Sequence, residues 1–270
     1  MAHASRKSVE DARVEPLVQR LVHEFQPDYV YLFGSLARGD ETDDSDYDFM
    51  VILPDSAPDK LLSWREQASA LKGVRLERFS DIKFTRRSDF ERQLHLRASI
   101  PAAVMRDGVC LYARPGAKGL AASPPLTTPR VGEPTQPEYD PVRVENTRGW
   151  LTVTRNDLRL AEFALEEDMF DECLFHCQQA VEKATKALLT WHDEPAPRHH
   201  DLPNLGSSCI RLAPSIAPEL EASYGLSHWA INGRYPPARS SRQEAAFGLR
   251  LARQAVEALL LEVPSSIRAD

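Results

Sequence analysis

YLFGSLARGDETDDSDYDFMVIL, Tyr31 to Leu53, decides how the first half of the chain folds. An aromatic and β-branched run, Tyr29 to Phe33, stops at Gly34-Ser35, and a second, Tyr47 to Leu53, enters from Ser45-Asp46-Tyr47-Asp48. Short runs of this composition between turn-forming residues are expected to be neighbouring strands. Residues i and i+2 of a strand share a face, so Asp46 and Asp48 are placed to grip divalent metal together. The Gly34-Ser35 turn, with a short helix expected through Leu36, Ala37 and Arg38, offers backbone N–H groups to phosphate, and Arg38 adds a cation. Phosphoryl and nucleotidyl transfer need this combination, because triphosphate charge must be neutralised while the attacking and leaving oxygens stay in line. A run as acidic as DETDDSDYD would by itself be a solvated loop. The order of strand, Gly-Ser, Arg-Gly, polar loop and Asp-x-Asp entering an apolar strand argues instead for a site.

Outward from this segment, Val14, Leu17, Val18, Leu21, Val22 and Phe25 recur at helical spacing, predicting a helix from Val9 to Phe25 that ends before Pro27. Downstream, a helix is expected over Lys60 to Leu71 and a third strand over Val74 to Phe84. A helix over Ser88 to Met105, broken near Pro101, and a closing strand over Val109 to Tyr112 complete the unit. Asp81 on the third strand would add a carboxylate across the ladder, as ligand of one metal and proton acceptor for the incoming hydroxyl. The fold class expected is α+β, with a small mixed sheet flanked by helices.

Prolines 115, 124, 125, 129, 134, 137 and 141 then fall among small and polar residues, a composition that cannot bury enough surface to offset its ordering entropy. A linker is expected over 114–143, between a first domain at 1–113 and a second at 144–266. The second domain reads as all-α, with amphipathic helices over Thr147 to Glu167, Asp171 to His192, Leu202 to Leu212 and Gln243 to Val263. Short connections predict an antiparallel bundle.

The formal charge of −7 and pI of about 5.7 disfavour a protein that coats nucleic acid non-specifically and favour a small or local substrate. No run of about 18 apolar residues and no secretory leader is visible, so a cytoplasmic protein without membrane partners is expected. Cys110, Cys173, Cys177 and Cys209 form no paired ligand set and are read as free thiols.

Gly34-Ser35-Leu36-Ala37-Arg38-Gly39 and Ser45-Asp46-Tyr47-Asp48 together resemble the GSxARG…SDxD signature of minimal nucleotidyltransferases, a small branch of the polymerase-β superfamily. The resemblance covers roughly Pro16 to Tyr112. It implies Asp46 and Asp48 as ligands of two Mg²⁺ ions and Gly34 and Ser35 in triphosphate binding. Its third carboxylate falls on Asp81 or, in another strand register, on Glu77. In the second half, FHCQQAVEKATKALL (Phe175 to Leu189), His199-His200-Asp201-Leu202 and Gly233-Arg234-Tyr235-Pro236 resemble the HEPN helical domains that often accompany these enzymes. Family ribonucleases carry Arg-x(4 to 6)-His, and no arginine here is followed by histidine at that spacing. His176, Lys183, His200, Arg234 and Tyr235 are therefore candidates for a ligand pocket or for support of the fold, and a homodimer through the helical domain is expected.

The expected activity is Mg²⁺-dependent transfer of an NMP unit, AMP being the first candidate, from an NTP to a hydroxyl on a protein, RNA or small molecule. The alternatives are a toxin-antitoxin-like or nucleotide-sensing module with little turnover, and an antibiotic nucleotidyltransferase.

Overall fold

A computed structural model describes residues 2–42, 45–74, 76–121, 139–197, 201–228 and 240–268, with side chains from residue 13 onward. Contacts divide the chain into two units, 1–125 and 126–270.

The first unit is a four-stranded mixed sheet in the order β3-β2-β1-β4, formed by β1 (Tyr29–Phe33), β2 (Tyr47–Leu53), β3 (Ser80–Arg86) and β4 (Val109–Ala113). β1 runs antiparallel to β2 and β4, whereas β2 and β3 are parallel, which requires a crossover. A 3₁₀ turn at Asp59–Leu62 and helix α3 (Trp64–Ala70) lie in that crossover, where one helix over Lys60 to Leu71 was expected. Helix α1 (Ala2–Phe25) lays Val14, Leu17, Val18, Leu21 and Phe25 against Val30, Leu32, Phe49, Val51 and Leu53 on one face of the sheet. Tyr29, Met50 and Ile52 face the other way, onto Phe90 of α4 (Arg87–Arg92) and Val104 of α5 (Ile100–Asp107). Apolar cover on both faces explains why β2 is an unbroken apolar run rather than an alternating one.

In this unit α1 begins at Ala2, not Val9, and two boundaries further along also differ from the sequence expectation. The third strand begins at Ser80, not Val74, because the parallel register pairs Tyr47 with Ser80 and β2 has no earlier residue to receive Val74 to Phe79. The helix expected over 88–105 is two helices, and the break falls at Gln93 to Ser99 rather than at Pro101. Pro101 stands in the first turn of α5, where no N–H is needed, and the Ser99 side chain caps the helix by accepting from the Ala102 N–H at 3.1 Å.

The first residues of the expected linker belong to the first unit. Arg87 Nη2 donates to the Lys118 and Gly119 carbonyls at 2.6 and 2.7 Å, Tyr29 Oη donates to Lys118 O at 2.8 Å, and Ala117 and Leu120 pack beside Met50 and Phe90. Residues 122–138 of that linker lie outside the described residues.

The second unit is helical, as expected: α6 (Pro141–Glu166), α7 (Phe170–Trp191), α8 (Leu202–Leu212), α9 (Ala217–Ala222), α10 (Arg242–Leu261) and α11 (Ser265–Arg268). Asp140 caps α6 by accepting from the Val142 and Arg143 N–H groups, and Ser241 with Glu244 forms a capping box on α10. Asp168, with φ 59°, turns α6 into α7. Leu174, Val181, Leu188, Leu205, Leu249 and Leu259 fill the core, together with the buried thiols of Cys173, Cys177 and Cys209. Among the described residues, no helix is long and apolar enough to cross a membrane.

Candidate functional site

β1 ends at Phe33, whose register partner across the antiparallel ladder is Asp48. The chain then turns at Gly34, φ +75°, into the short helix α2 (Gly34–Arg38). Only glycine fits there. The left-handed backbone disfavours a side chain, and a Cβ would collide with Asp48 Oδ2 and stand 3.0 Å from its carboxyl carbon. The Asp48 carboxylate is therefore seated directly against the Gly-Ser turn, and no side chain caps the N-terminus of α2 beside it. Gly39, φ 80°, closes the other end of α2, its N–H donating to Ser35 O at 2.9 Å.

Across the parallel ladder Asp48 pairs with Asp81, so the two carboxylates rise from neighbouring strands on one face. Asp46, one residue before β2, is exposed on the approach to the same face. Glu77 lies outside β3 and faces Arg13 at 3.6 Å. The geometry thus brings Asp81, not Glu77, beside Asp48. Burial, then the Asp81 charge, and more weakly Asp46, raise the Asp48 pKa, while Lys83 and Arg38 pull it back. Lys83 Nζ stands 2.5 Å from Asp81 Oδ2, and Arg38 Nε 3.2 Å from Asp40 Oδ2.

Among the described residues, no group of three His, Cys, Asp or Glu side chains stands close enough to cage a metal ion. The donor chemistry nevertheless fits a hard divalent cation, because Asp46, Asp48 and Asp81 offer only carboxylate oxygens, although the Lys83 ammonium already stands against Asp81. A groove of about 550 Å³ opens on the opposite face of β3 from Asp81, between Leu17, Leu71, Val74, Phe79 and Ile82. It carries no carboxylate and is not part of this site.

In the helical unit, His176 and Lys183 do meet, through Asp157, which the sequence places on the first helix of this domain without marking it as their partner. Asp157 of α6, only 5% exposed, accepts from Lys183 Nζ and lies 2.9 Å from His176 Nδ1. The i, i+7 spacing of His176 and Lys183 was visible along α7, whereas Asp157 depends on how α6 and α7 register. His200, Arg234 and Tyr235 lie outside the described residues.

Residues 15–115 match the family model described as polymerase beta, nucleotidyltransferase, and residues 147–263 match that of the HEPN domain. No curated protein matches the chain. Among solved structures, TT1696 from Thermus thermophilus is similar at 26% identity over 44% of this chain and 98% of that one, with a TM-score of 0.39. A nucleotidyltransferase-like protein from Exiguobacterium sibiricum 255-15 is similar at 11% identity over 94% of this chain and 76% of that one, with a TM-score of 0.38.

Proposed function

Because the chain joins a nucleotidyltransferase domain of the polymerase-β type to a HEPN domain, we propose that its first unit transfers an NMP unit from an NTP to a hydroxyl acceptor, with ATP the first donor to test. The observation that carries this is the Asp48 carboxylate seated against Gly34, just past the end of β1, and paired across the other ladder with Asp81 of β3. Acidic oxygens thereby stand beside a turn whose backbone N–H groups can receive phosphate.

In this reaction the acceptor oxygen bonds to the α-phosphorus, the bond from that phosphorus to the bridging oxygen breaks, and pyrophosphate leaves. Asp81 takes the proton of the hydroxyl. Gly34 and Ser35 hold the terminal phosphates, and Arg38 supplies positive charge near them. Asp46, Asp48 and Asp81 would hold two Mg²⁺ ions, whose chemistry is to neutralise the triphosphate and lower the barrier to in-line displacement. The HEPN unit serves substrate binding or pairing with a second copy. Acceptor classes are a protein, an RNA or a small molecule, an antibiotic among them.

The Lys83–Asp81 ion pair favours a second reading, a nucleotide-sensing or toxin-antitoxin-like module, because a lysine on the third carboxylate competes with a cation there. One experiment separates the two. The purified protein is incubated with each α-labelled NTP, Mg²⁺ and cell lysate, beside Asp46→Asn/Asp48→Asn. Label that the double variant loses by more than about 100-fold, beyond the cost of removing an outer-shell partner, supports transfer and identifies the acceptor class. Equal labelling by both proteins sinks the site, and NTP binding without label favours the sensing module.

A further inference from the structure

The loop from Gly39 to Asp46 holds five acidic residues in eight positions: Asp40, Glu41, Asp43, Asp44 and Asp46. Like charges at this density repel, so a loop of this composition does not by itself aim one carboxylate. The described ends of the loop are nevertheless fixed. Ser45 N–H donates to Thr42 O at 3.1 Å, and Thr42 N–H donates to Ser45 Oγ at 2.9 Å, tying these two residues together. Arg78 Nη1 then donates to the carbonyls of both, Thr42 O at 2.7 Å and Ser45 O at 3.0 Å. The next residue of the same segment completes the grip, since Phe79 O accepts from Tyr47 N–H at 2.9 Å.

Asp46 is thus bracketed on both sides of its backbone. The carbonyl before it is held by Arg78 and the amide after it by Phe79, while its own carboxylate stays exposed. Arg78 and Phe79 immediately precede β3, the strand that carries Asp81, so a single short segment fixes the approach of one carboxylate and leads into another. A guanidinium suits this task because it keeps its charge at any working pH and its terminal Nη1 carries two N–H groups in a fixed plane, which here meet two carbonyls.

We propose that Arg78 is a positioning residue of the transfer site: its guanidinium holds the Thr42 and Ser45 carbonyls so that Asp46, next along the chain, meets the face shared by Asp48 and Asp81, and thereby sets the affinity for divalent cation. The inference rests on the transfer reading for its consequence in catalysis, but its geometric core does not depend on it.

The test compares the full-length protein with Arg78→Ala and Arg78→Lys, using Mn²⁺ binding followed by electron paramagnetic resonance and hydrogen exchange at the Ser45 and Tyr47 amides. Arg78→Ala is expected to weaken Mn²⁺ binding about 10-fold or more, in line with lost outer-shell partners, and to speed exchange at both amides. Arg78→Lys keeps the charge but not the planar, fixed N–H pair and should fall between Arg78→Ala and wild type; if Arg78→Ala does not fold, this variant decides. Wild-type Mn²⁺ affinity together with wild-type exchange in the folded variant overturns the proposal. A wild-type protein that binds no Mn²⁺ removes the metal-dependent reading instead, and the exchange measurement alone then confirms or overturns the role of Arg78.

Discussion

Asp48 sits under two opposing demands. Binding a cation needs it ionised, yet burial and the neighbouring Asp81 and Asp46 charges raise its pKa above the ordinary 3.8. A carboxyl whose pKa is higher folded than unfolded makes the native state take up protons, so stability falls as pH rises from 3.8 through the raised value and stays reduced above it. Asp48→Asn is therefore expected to raise Tm near neutral pH in EDTA, with the gain shrinking as pH is lowered toward 3.8. Thermal melts of both proteins across that range check it, and a variant less stable than wild type at neutral pH would contradict the stated cause. Loss of transfer in a protein made more stable is what a site held against its own repulsion should show. At this scale the sequence was informative wherever chemistry lay in consecutive residues. Gly34, Ser35, Asp46 and Asp48 were visible in one segment. Arg78 was not, because it contacts the loop from 33 to 36 positions away, and nothing in its own neighbourhood marks it.

Between elements, what could be read was what hydrophobic periodicity encodes. β1 and β2 came out at their observed ends, and α7 and α8 within a residue or two, since apolar spacing determines them. β3 did not, because Val74, Leu76 and Phe79 have strand-like side chains and only the register with β2 reveals that they precede the strand. The same limit hides Asp157. On α6 the buried positions are Val142, Thr147, Leu151, Thr154, Asp157, Ala161 and Ala164, so a carboxylate occupies a place that a simple bundle would fill with an apolar side chain. Its charge is met from α7 by Lys183 and His176, each about a quarter exposed. A buried ionic group is weak evidence for added stability, but removing one partner strands the other. Asp157→Ala should cost about 2–4 kcal/mol by stranding Lys183, whereas adding Lys183→Met should recover at least about 1 kcal/mol of that loss. Denaturant unfolding of the two single variants and the double variant measures the coupling, and strict additivity would mean that Lys183 is not stranded by the loss of Asp157.

For the chain as a whole, the cores of the two units share no residue: those on the two faces of the sheet draw on Val14 to Leu120, and that of the helices on Tyr139 to Ile267. Each unit has about the size at which a single core folds cooperatively by itself. We therefore expect two unfolding events rather than one, seen in calorimetry as a measured enthalpy larger than the van't Hoff value of either transition. Leu53→Ala removes a fully buried side chain from β2, and Leu188→Ala removes one from α7. Each should destabilise its own unit by about 2–5 kcal/mol. At the entropies typical of domains near 100 residues, that lowers the corresponding transition by roughly 10 °C or more and leaves the other in place. If either substitution moves both transitions together, the units unfold as one. The HEPN unit would then be part of what keeps the nucleotidyltransferase fold standing, and a loss of transfer in helical-unit variants could no longer be assigned to substrate binding or pairing. Independent transitions leave that assignment open to test: a helical-unit variant that keeps the first transition and loses transfer acts on substrate or partner, not on the fold of the active unit.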